Sequence, residues 1–290
     1  MIPAAVDYAR PTTLDEAVGA LAQGGEDAKV LAGGQSLIPL LRLRMAAPTV
    51  LVDLGAIGEL RGVREDGDDL LIGAMTTHAS VLADPLIARH APLIAQATAT
   101  VADRQVRHLG TIGGSLAHAD PAGDLPAVAV ALDATMEIAG PEGRRGVAAA
   151  DFFVDYFTTA LQPGEVLVAV RVPKREGWLS HYEKFSRVAQ AWALVGVAAM
   201  VRRDNGGIAE ARVALTNMGA TPVRASGVES ALAGSAADGG AVAAAAAHAA
   251  EGTNPTGDLS ASAEYRSHLA RVLTERAVLA ALQGRGADAA

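Results

Sequence analysis

Cysteine is absent from all 290 residues. That absence excludes disulfides, thiolate zinc sites, cysteine nucleophiles and iron–sulfur ligation by this chain. Aromatic residues are scarce at 3%, although hydrophobic residues reach 50%, so the interior must be built from small aliphatic side chains and close backbone contacts. Basic charge is in deficit as well: 24 Lys and Arg stand against 32 Asp and Glu, a formal net charge of -8. Nucleic-acid binders cluster basic residues where they meet phosphates, so DNA and RNA are poor partners. Long hydrophobic runs are missing. The uncharged apolar stretch 189–201 has 13 residues, whereas a membrane helix needs about 20, and no basic leader precedes an apolar run at the start. A cytoplasmic protein that does not span a membrane is expected.

Thr13 stands three residues before Glu16, and Leu14, Ala17, Val18 and Leu21 recur at helical spacing before Gly24-Gly25. This predicts a capped first helix. Strands are predicted at 29–32 and 49–54 on either side of a short segment containing Pro39. A hairpin should cross Glu65-Asp66-Gly67-Asp68. Helices are expected at 77–82, 93–102 and 124–132, and strands at 133–138 and 166–172, with Pro173 marking a boundary near 175. Farther on, 193–202 and 208–217 flank Asn205-Gly206, a strong hairpin signal. The alanine-rich 239–251 and the segment 265–282 favour helix. The class is therefore α+β, ending in a C-terminal domain, 176–290, with a small antiparallel sheet and helices.

Several familiar site patterns fail. No Gly-Lys dipeptide supports a phosphate loop. Ile38 occupies the place where a nucleophile elbow on Ser36 would need glycine. A Gly-x-Gly occurs at Gly284-Arg285-Gly286, in the tail rather than after a strand. What remains is a pair of similar segments, Ala32-Gly33-Gly34-Gln35-Ser36 and Thr111-Ile112-Gly113-Gly114-Ser115. Either glycine pair taken alone is an ordinary tight turn. Two such turns facing one another would cradle a pyrophosphate through backbone N–H groups and hydroxyls, which suits an acidic protein. The seven histidines show no His-x-x-x-His pair and are assigned structural or surface roles. His118, three residues after Ser115, is the one to test near a cofactor. No catalytic side chain and no metal ligand is expected.

The flanks carry more. Leu31-Ala32-Gly33-Gly34-Gln35-Ser36-Leu37-Ile38-Pro39, Ile72-Gly73-Ala74-Met75-Thr76-Thr77, Gly110 through Ser115, and Asp120-Pro121-Ala122-Gly123-Asp124 occur in that order. Leu215-Thr216-Asn217-Met218-Gly219 and Glu264-Tyr265-Arg266 follow. Together they resemble the FAD-binding medium subunit of molybdenum hydroxylases, the family of aerobic carbon monoxide dehydrogenase and the flavin segment of xanthine dehydrogenase. The resemblance implies a two-subdomain FAD-binding fold of the vanillyl-alcohol oxidase type over 1–175, with subdomains of about 1–55 and 56–175. It implies cofactor contacts from Ala32, Gly33, Gly34, Gln35 and Ser36 with their neighbours Leu31, Leu37 and Ile38. Thr111, Ile112, Gly113, Gly114 and Ser115 complete the pyrophosphate and ribityl segments. Asp124 is implied as an acceptor for hydroxyls, Leu167 as a main-chain contact to the ring and Val101 as a side chain near it. Lys184 would be a cation beside the reduced ring, and Trp192 an aromatic over one face. The sequence departs from the family pattern at Gln190-Ala191-Trp192, at Ser115 where Asn is commoner, and at Gln35 where His occurs.

The function so implied is that of an electron-transfer subunit. A large partner would carry the molybdenum cofactor, a small partner the two-iron two-sulfur clusters, and FAD would pass electrons to quinone, NAD or oxygen. The alternatives are a stand-alone FAD-dependent oxidoreductase and a non-catalytic binding or scaffold protein.

Overall fold

The computed structural model describes residues 2–284; position 1 and positions 285–290, including Arg285 and Gly286 of the tail tripeptide, lie outside it. The chain opens with a parallel sheet in which strands Asp7–Ala9 and Ala28–Leu31 flank Val50–Asp53. Parallel neighbours need crossovers, and helices Leu14–Gly24 and Leu37–Leu43 supply them. Thr13 caps the first helix by accepting from Glu16 N at 3.2 Å, while Glu16 Oε2 accepts from Thr13 N at 3.2 Å. Leu14, Ala17 and Leu21 form its buried face. The second helix contains Pro39 at its third position. The N–H that proline lacks belongs to the first turn, so no helix bond is lost.

A five-stranded antiparallel sheet comes next, in the order Val63–Asp66, Asp69–Gly73, Val166–Pro173, Thr135–Gly140, Gly143–Ala148. Its central strand is buried on both faces. Val166 and Val168 pack with Leu14, Leu21 and Val52. Leu167, Val170 and Val172 pack with the helices Pro92–Ala99 and Asp124–Ala131. The edge strand Gly143–Ala148 was not expected, and its almost wholly exposed residues explain why: no apolar alternation marks it.

The third sheet is antiparallel and four-stranded, Trp178–Phe185, Val195–Asp204, Gly207–Thr216 and Val223–Arg224. Asn205 and Gly206 adopt φ of 47° and 85°, the positive values a two-residue hairpin turn demands. Val197, Ala199, Val201 and Leu215 pack against the helices Ser226–Leu232, Gly239–Ala246 and Ala263–Leu282. Tyr182, Ala198, Met200 and Ala214 point the other way, into the core of the preceding sheet and helices. A sheet covered on both faces reads as a continuous apolar run, which is what 193–201 looks like. Asp133 also joins the two units, pairing with Arg175, Arg212 and Arg224. The Trp178 ring lies 5.4 and 5.5 Å from the guanidinium carbons of Arg175 and Arg212.

Candidate cofactor cleft

Gly33 and Gly34 turn the chain from strand Ala28–Leu31 into helix Leu37–Leu43. Gly34 needs to be glycine for its φ of +72°. Gly33 needs to be glycine for space, because a Cβ there would stand 2.1 Å from Leu109 O and 2.7 Å from Gly110 Cα. The first glycine segment therefore presses directly on the residues that lead into the second. Among the described residues, the N–H groups of Gly33, Gly34, Gln35 and Ser36 meet no protein acceptor. Gln35 Nε2 donates back to Gly33 O at 3.0 Å, bracing the turn.

The second segment differs from the expectation of a turn. Thr111 caps the helix Ile112–His118, and Gly113 and Gly114 sit inside its first turn. Four of its five amides are already used: Ile112 N donates to Thr76 O at 3.0 Å, Gly113 N to Ala74 O at 2.9 Å and Ser115 N to Thr111 O at 3.0 Å. Gly114 N donates to Thr111 Oγ1 at 3.1 Å. Glycine is required at 113 because a Cβ would lie 2.4 Å from Ala74 Cβ. The second glycine pair thus brings a helix close to the sheet and supplies no free backbone donor, whereas the first pair supplies several.

Both segments line one cleft of about 810 Å³. Its wall includes Ala32, Gly33, Gly34, Gln35, Ser36, Leu37, Val101, Thr111, Gly114, Ser115, Asp124, Lys184 and Trp192. Five of the expected residues lie elsewhere. Leu31 closes a strand, Ile38 is 44% exposed, and Ile112 is in the core. Gly113 is packed on Ala74. Leu167 is 5% exposed in the central strand, beside a register shift between Leu167 and Ala169.

Asp124 begins the helix Asp124–Ala131 and is buried. Its Oδ2 accepts from Lys184 Nζ at 2.8 Å and its Oδ1 from the Tyr182 hydroxyl at 2.7 Å. Lys184 Nζ also reaches Thr100 O at 3.2 Å. Burial pushes the Asp124 carboxyl above the usual range, and the Lys184 ammonium pulls it back. Burial likewise raises the Tyr182 phenol. Lys184 was expected as a cation beside the reduced ring; in the structure its ammonium pairs with Asp124, which also accepts from the Tyr182 hydroxyl.

Residues missed by sequence reasoning also line the cleft. His78, assigned a structural or surface role, is on the wall. So is the loop 161–165, anchored where Glu165 takes Arg145 Nε and Nη2 at 2.7 Å each. Pro163-Gly164 signals a loop, but nothing in that dipeptide points to a ligand. His118 does line the cleft, half-buried against Phe157 with ring centroids 5.2 Å apart, and burial lowers its pKa.

The fold has counterparts among known proteins. Residues 4–175 match the family described as FAD binding domain in molybdopterin dehydrogenase, and residues 180–281 match the CO dehydrogenase flavoprotein C-terminal domain. The chain belongs to the FAD-binding flavoprotein subunits of molybdenum hydroxylases. It is 42% identical to the carbon monoxide dehydrogenase medium chain of Hydrogenophaga pseudoflava, over 97% of this chain and 98% of that one. It is 37% identical to subunit alpha of the 6-hydroxypseudooxynicotine dehydrogenase complex of Paenarthrobacter nicotinovorans, over 97% and 96%. A solved structure of the Hydrogenophaga pseudoflava carbon monoxide dehydrogenase superposes with a TM-score of 0.95, covering 98% of this chain and 99% of its counterpart.

The cleft suits the family's cofactor. Its volume falls in the upper part of the roughly 300–1,000 Å³ common for ligand clefts, as an extended dinucleotide needs. Four unpaired amides beside a glycine that tolerates no Cβ offer an anion site without a guanidinium.

Proposed function

We propose that this chain is the electron-transfer subunit of a molybdenum hydroxylase complex, with FAD held in the cleft between the Gly33–Gly34 turn and the Asp124–Lys184 pair. The observation that carries this reading is the contact of Gly33 with Leu109 and Gly110, which places four free amides on the cleft wall. Bound FAD supplies a redox centre that exchanges electrons singly or in pairs. The chain's residues bind and orient. The amides of Gly33, Gly34, Gln35 and Ser36 receive the diphosphate, and the Ser115 hydroxyl and Val101 complete the wall. The Asp124–Lys184 pair with Tyr182 holds fixed charges in place without a net charge. Trp192, which lines the cleft and is 57% exposed, controls what approaches.

Electrons would come from a small partner subunit carrying two-iron two-sulfur clusters, and substrate would be oxidised on a large partner holding the molybdenum cofactor. The lack of cysteine supports this division, since thiolates for clusters must come from another chain. The relatives support it too: chains of comparable identity bear names for substrates as different as carbon monoxide and 6-hydroxypseudooxynicotine, so substrate choice rests with another subunit. The outlet is an external acceptor, quinone, NAD or oxygen. The complex works in the cytoplasm, consistent with a chain in which no described helix is long and apolar enough to cross a membrane. The FAD-binding unit spans 1–175, in subdomains of about 1–55 and 56–175, and the C-terminal unit spans 176–290.

The test is affinity purification of the chain from its own host, with subunit composition and visible spectrum measured together. Two further chains, one bearing about eight cysteines for two clusters, and a flavin-plus-cluster spectrum are expected. A yellow protein without partners that a substrate reduces directly would establish a stand-alone oxidoreductase instead. A colourless protein that takes up no FAD would leave a scaffold.

A further inference from the structure

The asymmetry between the two glycine segments leaves a question of donors. The Gly33–Ser36 side of the cleft has free amides, while the segment 112–115 has spent its own on Thr76, Ala74 and Thr111. A side chain on the Gly110 side is placed to make up the difference. His78 begins the helix His78–Ala83, and its backbone N donates to Gly110 O at 2.9 Å. Its ring lies against the same residue: a Cβ on Gly110 would be 2.9 Å from His78 Cδ2 and 3.2 Å from Nε2. Gly110 Cα is in turn 2.7 Å from where a Cβ on Gly33 would stand. Imidazole, Gly110 and Gly33 therefore form a continuous stack at the point where the two segments meet.

His78 is only 4% exposed, yet it lines the cleft. Nδ1 is sealed from solvent and has no hydrogen-bond partner. A proton on Nδ1 would be a buried donor with nothing to meet, which is costly. The favoured tautomer therefore carries its proton on Nε2, at the Gly110 edge. Burial, reinforced by the Arg107 charge, lowers the His78 pKa to about 4. At neutral pH the ring is an uncharged donor.

We propose that His78 is a binding residue whose Nε2–H donates to an anionic oxygen of the dinucleotide's diphosphate, complementing the amides of Gly33–Ser36. This rests on the reading of the cleft as the FAD site. It gives the Nε2 edge of a buried histidine, set against Gly110 where Gly33 also packs, a partner to donate to. It also gives the acidic chain a second anion contact that adds no charge.

The test uses the full chain freed of flavin, with FAD affinity measured by quenching of flavin fluorescence and ADP affinity by calorimetry. ADP carries the diphosphate without the flavin. His78→Leu keeps bulk and removes the donor, and His78→Gln places an amide N–H near the Nε2 position. His78→Leu is expected to weaken both FAD and ADP about ten-fold, and His78→Gln to stay within about three-fold. The wild-type affinity should be flat between about pH 5.5 and 8, because the imidazole stays neutral there. Thermal melting of each variant reports folding separately. Equal weakening by Leu and Gln, or a His78→Leu chain that binds both ligands as tightly as wild type, overturns the proposal and leaves the FAD reading standing. A wild-type chain that binds neither FAD nor ADP sinks both.

Discussion

Replacing Lys184 by methionine tests whether the cleft floor is organised by a buried ion pair. The Lys184 side chain is 7% exposed and the Asp124 side chain 3%, with 2.8 Å between Nζ and Oδ2. Removing the ammonium leaves a buried carboxylate with one remaining donor, Tyr182. Breaking such a pair from one side costs about 3–5 kcal/mol, because the surviving charge is desolvated and uncompensated. Removing both charges costs less, so the double variant Asp124→Asn, Lys184→Met should be more stable than Lys184→Met alone. The pH dependence has a definite sign. Asp124 already has a pKa raised by burial, and loss of Lys184 removes the principal opposing influence. The folded variant then binds a proton more readily than its unfolded chain, so its stability rises as pH falls from 7 toward 5 and declines as pH rises through the folded pKa. Urea denaturation of the flavin-free chain at pH 7 and pH 5 measures all four members of the cycle. A Lys184→Met variant that loses less than about 1 kcal/mol at pH 7, with the acid dependence of wild type, would refute the reasoning by showing the pair to be screened by water.

Gly113→Ala should destabilise the chain by about 1–3 kcal/mol, since its Cβ meets Ala74 Cβ at 2.4 Å and Ala74 O at 2.7 Å; a denaturant midpoint equal to wild type would show that the helix can retreat freely. Trp192→Ala should leave stability within about 0.5 kcal/mol, because the side chain is 57% exposed, while changing the rate at which artificial acceptors oxidise the reduced complex; unchanged acceptor kinetics would remove Trp192 from the cleft opening. Asp133→Ala should destabilise the union of the two units, because Arg175, Arg212 and Arg224 all converge on that carboxylate; limited proteolysis between 133 and 178 should accelerate, and an unaltered cleavage rate would show the cluster to be ornamental.

Local chemistry was legible wherever a few adjacent residues decide a conformation. The Thr13–Glu16 reciprocal cap, the Asn205-Gly206 turn and the Gly33-Gly34 bend all appear as read. Long-range partners left no such mark. Asp124 meets Tyr182 and Lys184 across 58 and 60 residues, and no spacing in the chain announces it. Gly113-Gly114 looks like Gly33-Gly34 on paper, yet one pair permits a bend and the other permits a helix to approach Ala74. The difference lies in what a Cβ would strike, which only the folded chain supplies. The strand Trp178–Phe185 escaped notice because Tyr182 and Ser180 alone are buried in a sequence otherwise polar or half-buried. His78 was passed over because a lone histidine carries no spacing signal; its meaning comes from the sealed Nδ1 and the glycine beside it.

Occupation by FAD of the cleft where Gly33 meets Leu109 and Gly110 can be checked by releasing the chromophore from purified wild-type and Gly33→Ala complexes and identifying it by chromatography. Stoichiometric FAD in the wild type, and its loss from a Gly33→Ala complex that still assembles, is the predicted result. FMN, an absence of flavin, or undiminished FAD in Gly33→Ala would contradict it.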